Sequence, residues 1–397
     1  MSPQPSISWL AQAGRALVSR PLDALLIMLP VAWGMHYFEV GDLWIFIASA
    51  VAIIPLAGLM GRATESLAVT LGDGVGGLLN ATFGNAAELI IALMALRHGP
   101  DMYPLVKASI TGSIIGNVLL VLGLSMFAGG LRYKFQRFNR TAASMGATLL
   151  TLATVGLIMP TLYFYVFAAN TPLQPEQLST VESLSEEIAV ILAVVYLLSL
   201  VFTFVTHRSI FDVAESPEVS ATARSGEAAP EPHWSRTTSL TVLLASTAAI
   251  AVVAEMLVGS VEAAAHAFDM SRVFVGVIVV AVIGNAAEHS TAILMAMKNK
   301  MDLAVNVAVG SGIQIALFVA PVLVFSSMVM GHDHPLDLHF TPMEIVAVTI
   351  SIAVLAIVAQ DGESHWFEGV MLLAVYAILA LAFYHLGDMG PARLADG

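Results

Sequence analysis

Two glutamates in this chain stand in the same five-residue setting: Gly84-Asn85-Ala86-Ala87-Glu88 and Gly284-Asn285-Ala286-Ala287-Glu288. Each pentapeptide lies inside a long apolar run, so each puts a carboxylate where a bilayer has its interior. An ionised group there costs about 2.5–3.5 kcal/mol on insertion scales. Incurring that cost twice, in one setting, points to chemistry rather than packing. Glu88 and Glu288, the amides of Asn85, Asn285 and Gln314, and the hydroxyls of Ser113 and Ser311 make an all-oxygen donor set. Gly84 and Gly284 belong to stripes of small residues beside it. Oxygen donors in a flexible cage suit hard cations, Ca²⁺ above all, whereas transition metals prefer imidazole or thiolate. Cysteine is absent. Two carboxylates are balanced by one Ca²⁺ or by two protons, so the two ions compete for one pair.

Other polar groups carry weaker signals. Glu65 and Glu255 occupy matched apolar settings ahead of the two motifs and are candidates for cation or proton handling. Their alternative role is that of helix-end carboxylates in water. His289 adjoins Glu288 and is a candidate proton relay. Asn117 and Asn306 have no counterparts in the other half and suit helix–helix hydrogen bonding. His332-Asp333-His334 reads as a solvated outer loop rather than a metal site. Glu182, Glu186 and Glu187 are expected at a helix start, where the helix dipole favours them without any function.

Composition dictates the elements that must position these groups. Of 397 residues, 58% are hydrophobic and 11% charged, and mean hydropathy is +0.84. These values indicate an all-α integral membrane protein and exclude an ordinary soluble domain. Taking roughly 20 apolar residues per span, about eleven transmembrane helices fall near 22–38, 43–71, 77–97, 104–128, 141–168, 185–206, 238–260, 272–298, 303–330, 342–359 and 366–385. Gly72 to Gly77 reads as a turn too rich in glycine for a helix interior. Residues 211–235, rich in Glu, Ala, Ser and Pro, read as a linker between halves.

With the N-terminus in the cytoplasm, only Arg97, Lys107, Arg272 and Arg393 of the sixteen Lys and Arg residues fall outside. That is a clear positive-inside bias. Met1 to Ser19 has no apolar core before a small-residue cleavage site, so the N-terminus is expected to stay as a short cytoplasmic tail. Gly112-Ser113 and Gly310-Ser311 follow the two motifs at similar spacing, which divides the spans into two blocks of five. Five is odd, so the second block runs opposite to the first. The expected organisation is an N-terminal tail with one extra helix (1–42), a first five-helix repeat (43–206), a cytoplasmic linker (207–237) and an inverted second repeat (238–390).

The paired Gly-Asn-Ala-Ala-Glu segments, the first within Asn80 to Ile90 and the second followed by His289, resemble the calcium/proton exchanger family of the calcium/cation antiporters. The resemblance covers the chain from about residue 43 onward. It implies an alternating-access antiporter that moves cytoplasmic Ca²⁺ against H⁺, with Glu88 and Glu288 as the central acidic pair. Asn85, Asn285, Ser113, Ser311 and Gln314 would lie nearby. Ala281 stands where the family pattern has proline. The implied partners are Ca²⁺, H⁺ and a lipid bilayer, with assembly into a homo-oligomer left open and nucleic acid excluded. No prosthetic group is expected, and a prokaryotic inner membrane is the expected location. A sodium-coupled exchanger of the same fold is the alternative. An intramembrane hydrolase is disfavoured, because Asp73 has no aspartate partner and no His-Glu-x-x-His motif occurs.

Overall fold

The computed structural model describes residues 21–168, 175–207, 234–332 and 334–386. The tail before Pro21, most of the expected linker (208–233) and Asp333 lie outside the described residues.

Helices carry almost all of the described chain, as they must where no water is present to satisfy backbone groups. In chain order they are α1 (Leu22–Tyr37), α2 (Asp42–Leu71), α3 (Asp73–Phe83), α4 (Ala86–Arg97), α5 (Pro100–Gly130), α6 (Arg140–Ala168) and α7 (Pro175–Val201). Then come α8 (Arg236–Gly259), α9 (Val261–Ala267), α10 (Arg272–Gly284), α11 (Ala286–Met297), α12 (Met301–Met330), α13 (Pro342–Val358) and α14 (Trp366–Leu386). Among the described residues, seven helices are long and apolar enough to cross a membrane, or up to nine if each bent pair is one span. Helices α1 and α13 are apolar but shorter.

Burial identifies the elements at the centre. The apolar stretch of α5 is 83% buried, whereas that of α7 is 17% buried. Helix α5 is therefore an axis of the bundle and α7 an outer wall. Helices α2 and α8 lie along one another, and α8 also lies against α4. Helix α1 is tied to α2 by an ion pair of Asp23 with Arg62 at 2.9 Å. A two-residue antiparallel ladder, β1 (Gln136–Arg137) with β2 (Glu363–Ser364), ties the loop after α5 to the loop before α14.

Two sequence expectations are corrected. The glycines after Gly72 do not form a turn: Gly72 alone has a positive φ, +85°, and α3 starts at the next residue. A Cβ on Gly76 would stand 2.5 Å from the Ala68 carbonyl oxygen, and one on Gly77 would stand 2.5 Å from the Phe204 ring. These glycines serve close helix packing, not chain reversal. Likewise, α7 starts at Pro175, so Glu182, Glu186 and Glu187 lie beyond its first turn, where the dipole no longer supports them. Glu182 instead meets His334 at 2.9 Å.

Candidate cation site

Both glutamate motifs interrupt a helix. In the first half, α3 ends at Phe83, α4 begins at Ala86, and the two axes are bent by 42°. Asn85 is the N-cap residue of α4, with φ −102° and ψ 25°, and Asn285 holds the same place before α11, with φ −90° and ψ 1°. Glu88 and Glu288 therefore fall in the first turn of a helix, where unpaired N–H groups and the helix dipole favour negative charge. The second break forms without proline. The turns ahead of it, Val275–Val280, are π-helical, a local widening often found beside functional sites.

The two breaks face each other reciprocally. A Cβ on Gly84 would stand 3.5 Å from Glu288 Oε1 and 3.4 Å from Gln314 Oε1. A Cβ on Gly284 would stand 3.2 Å from Glu88 Cγ. Each motif glycine thus lies against the other motif's glutamate; a Cβ would crowd Glu88 at Gly284, whereas at Gly84 the tight neighbour is the Asn80 carbonyl oxygen, at 2.9 Å. Both oxygens of Glu88 and Oε2 of Glu288 are buried with no hydrogen-bond partner. Buried carboxylate oxygens without donors are costly, and a cation or a proton removes that cost.

A chain of neutral polar groups crosses the centre. The Asn85 amide donates to Gln314 Oε1 at 2.5 Å, and Ser311 donates to Asn85 Oδ1 at 2.7 Å. Asn117 donates to Ser311 Oγ at 2.9 Å and to Asn285 Oδ1 at 3.3 Å. Asn285 in turn donates to Ser113 Oγ at 3.1 Å. The predicted Asn85, Asn285, Ser113, Ser311 and Gln314 are thus brought together with Glu88, Glu288, Gly84 and Gly284. Among the described residues no three His, Asp or Glu side chains converge on a metal position. A cation here would be held by two carboxylates and neutral oxygens.

The remaining candidates lie elsewhere or beside the cluster. Glu65 is exposed on α2, and Glu255 is exposed on α8, where it pairs with His98 at 3.2 Å. Neither hydrogen-bonds with the central chain of amides and hydroxyls. His289 is buried next to Glu288, and its Nε2 has no hydrogen-bond partner. His334 is engaged with Glu182.

Two residues were missed in their site role. Asn117 does bond helix to helix, but the helices it joins are those that carry both halves of the site. Its signal was its place one turn after Ser113, on the same face of α5. Tyr196 is buried on α7, stacks on Phe318 at 5.3 Å, and donates its hydroxyl to the Ala81 carbonyl at 2.9 Å. In the second half the matching carbonyl, Ala281, accepts the backbone N–H and the side-chain amide of Asn285, at 3.2 and 2.9 Å. The first break is thus supported by a neighbouring helix and the second by its own asparagine. No local pattern announces a tyrosine 115 residues away in sequence.

Comparison with known proteins identifies the family. The sequence pattern of the sodium/calcium exchanger protein family matches residues 41–205 and 238–385. The chain is 46% identical over 366 residues to a Ca²⁺/H⁺ antiporter of Synechocystis sp., which covers 91% of this chain and 96% of that protein. It is 44% identical over 363 residues to the Ca²⁺/H⁺ antiporter ChaA of Bacillus subtilis, covering 90% and 98%. The crystal structure of the selenium-substituted Ca²⁺/H⁺ antiporter protein YfkE superposes with a TM-score of 0.75 at 40% identity, over 92% of this chain and 99% of that one.

Proposed function

The chain belongs to the calcium/proton exchanger branch of the sodium/calcium exchanger protein family, and within it we propose that it exchanges cytoplasmic Ca²⁺ for H⁺. The observation that carries this reading is the reciprocal placement of Glu88 against Gly284 and of Glu288 against Gly84, with three carboxylate oxygens lacking any donor. The antiporters of Synechocystis and Bacillus subtilis support it by similarity over nearly the full chain.

The coupling follows from charge. One Ca²⁺ or two protons neutralise Glu88 and Glu288, so either load can cross while the bare, doubly charged pair is held back by its desolvation cost. In the Ca²⁺-loaded form both carboxylates, the carbonyl oxygens of Asn85, Asn285 and Gln314, and the hydroxyls of Ser113 and Ser311 supply the ligands. Gly84 and Gly284 admit them. Glu88 and Glu288 lie in the first turns of α4 and α11, where the positive dipole ends favour their charge when the ion leaves. Asn117 holds the two halves in register. Glu65, Glu255 and His289 are proposed to relay ions and protons between this centre and the aqueous faces.

The membrane arrangement belongs to the same proposal. Eleven crossings form two inverted repeats of five behind one extra N-terminal helix, with repeats over 43–206 and 238–390 and the 207–237 linker in the cytoplasm. Access alternates as the bundle that includes α2 and α8 slides against the broken motif helices. The twelve inward basic residues favour a cytoplasmic N-terminus, and the bacterial relatives favour a prokaryotic inner membrane.

The alternative is sodium-coupled exchange on the same fold. Its motifs would be rich in threonine and serine where this chain has Asn and Ala. Proteoliposomes separate the two: ⁴⁵Ca²⁺ uptake driven by a pH gradient and indifferent to a sodium gradient supports the proposal. Uptake that needs sodium overturns it.

A further inference from the structure

The loop after α5 opens a groove of about 730 Å³ between the end of α5 and the start of α14. Helix α5 closes at Gly130 and α14 opens at Trp366, so the groove lies at the shared end of two helices long and apolar enough to cross a membrane. Its walls combine two chemistries. Leu131, Phe135 and Trp366 are 68%, 64% and 48% exposed and form an apolar surface, and tryptophan suits the membrane interface. Arg132 and Lys134, both exposed, alternate with the apolar residues along the loop. Arg132 makes one long contact, 3.4 Å to the Met297 carbonyl, which leaves most of its donors unused. Lys134 has no partner among the described residues.

No carboxylate lines the groove, although the chain carries a net charge of −13. The nearby acids are engaged elsewhere: Glu363 with Arg137 at 3.1 Å, and Glu368 with His365 at 3.8 Å. A cationic rim over an apolar floor at a helix end complements an anionic phospholipid, whose phosphate needs cations and whose chains need apolar contact. We propose that this groove binds one anionic phospholipid, with its phosphate between Arg132 and Lys134 and its acyl chains along Leu131, Phe135 and Trp366.

The test titrates the purified full-length protein in detergent with phosphatidylglycerol or phosphatidylcholine and reads the thermal midpoint. Phosphatidylglycerol should raise the midpoint at lower concentration than phosphatidylcholine. The R132A/K134A variant should unfold normally without lipid and need about thirtyfold more phosphatidylglycerol, as expected for the loss of two juxtamembrane cations at about 1 kcal/mol each. R140A, a basic change outside the groove, should respond as wild type does. Equal responses to the two lipids, an unchanged response in the double variant, or an equal loss in R140A would overturn the proposal. So would the same shift from glycerol phosphate alone, which would mean a phosphate site without lipid. Self-association of wild type that R132A/K134A abolishes without lipid would assign the groove to a second copy of the chain instead.

Discussion

Glu288 Oε1 lies 3.5 Å from the point that a Cβ on Gly84 would occupy. The first motif's glycine thus lies against the second motif's carboxylate, and Gly284 in turn lies against Glu88, whose Cγ would stand 3.2 Å from a Cβ there. This reciprocity brings two segments two hundred residues apart into one cluster, and substitutions at the two glycines test whether the space beside them matters for transport.

Gly84→Ala is expected to cut Ca²⁺ uptake by about tenfold or more, because the methyl meets the fixed Asn80 carbonyl at 2.9 Å as well as Gln314 and Glu288. Misplacing a ligand by about 1 Å is costly at a preorganised centre. Gly284→Ala should be milder, since its closest neighbour is the flexible Glu88 side chain at 3.2 Å. Initial rates of ⁴⁵Ca²⁺ uptake against Ca²⁺ concentration check both, and equal, wild-type-like rates would contradict the reciprocal packing.

Asn117→Ala removes the donor that joins Ser311 to Asn285. Interhelical hydrogen bonds in membranes average about 0.6 kcal/mol and reach about 1.7, so the protein should stay folded with a slightly lower thermal midpoint. Transport should suffer more than stability, with apparent Ca²⁺ affinity falling several-fold. An unchanged affinity would reduce Asn117 to a packing residue.

Tyr196→Phe keeps the stacking on Phe318 and deletes only the hydroxyl bonded to Ala81. The freed carbonyl at the first helix break should cost about 1 kcal/mol and loosen the aim of Glu88. We expect a several-fold rise in KM for Ca²⁺. Tyr196→Leu should be worse in both stability and transport, because it also loses the ring contact.

The apolar helices and the repeated glutamate motif were legible in the sequence because both are written locally. Twenty apolar residues announce a membrane helix, and a repeated pentapeptide announces itself. The site's support was not legible. Asn85 and Asn285 interrupt their helices without proline, and the contacts beside the breaks, Tyr196 on Ala81 and Asn285 on Ala281, are made by side chains that no local rule singles out. Tyr196 reaches Ala81 only through the packing of α7 on α3. Gly76 and Gly77 read as part of a turn because their partners, Ala68 and Phe204, sit on other helices and leave no local trace. Glu65 and Glu255 match in sequence and lie on exposed faces of α2 and α8, and neither hydrogen-bonds with the central amides and hydroxyls.

His339, in the loop between α12 and α13, gives a pH prediction. Burial against Phe164 and Tyr165, reinforced by the nearby Lys107 charge and opposed by Asp337, lowers its pKa from 6.5 to about 4. The folded state therefore binds this proton less readily than the unfolded state does. Stability is flat above pH 6.5 and falls as the pH drops from 6.5 towards 4, by about 2 kcal/mol at pH 5. His339→Phe should reduce that part of the loss while leaving the thermal midpoint at pH 7.5 nearly unchanged. An identical pH dependence in wild type and variant would contradict the assignment.

The most direct test of the central claim is ⁴⁵Ca²⁺ uptake into proteoliposomes under a pH gradient, with proton efflux recorded in parallel, for wild type, Glu88→Gln and Glu288→Gln. Glutamine keeps the shape of each side chain and removes its charge and its exchangeable proton. The account predicts coupled Ca²⁺ and H⁺ fluxes in wild type and neither flux in either variant. Gradient-driven Ca²⁺ uptake that survives in both variants would mean that the paired glutamates are packing residues, and the exchange mechanism built on them would be wrong.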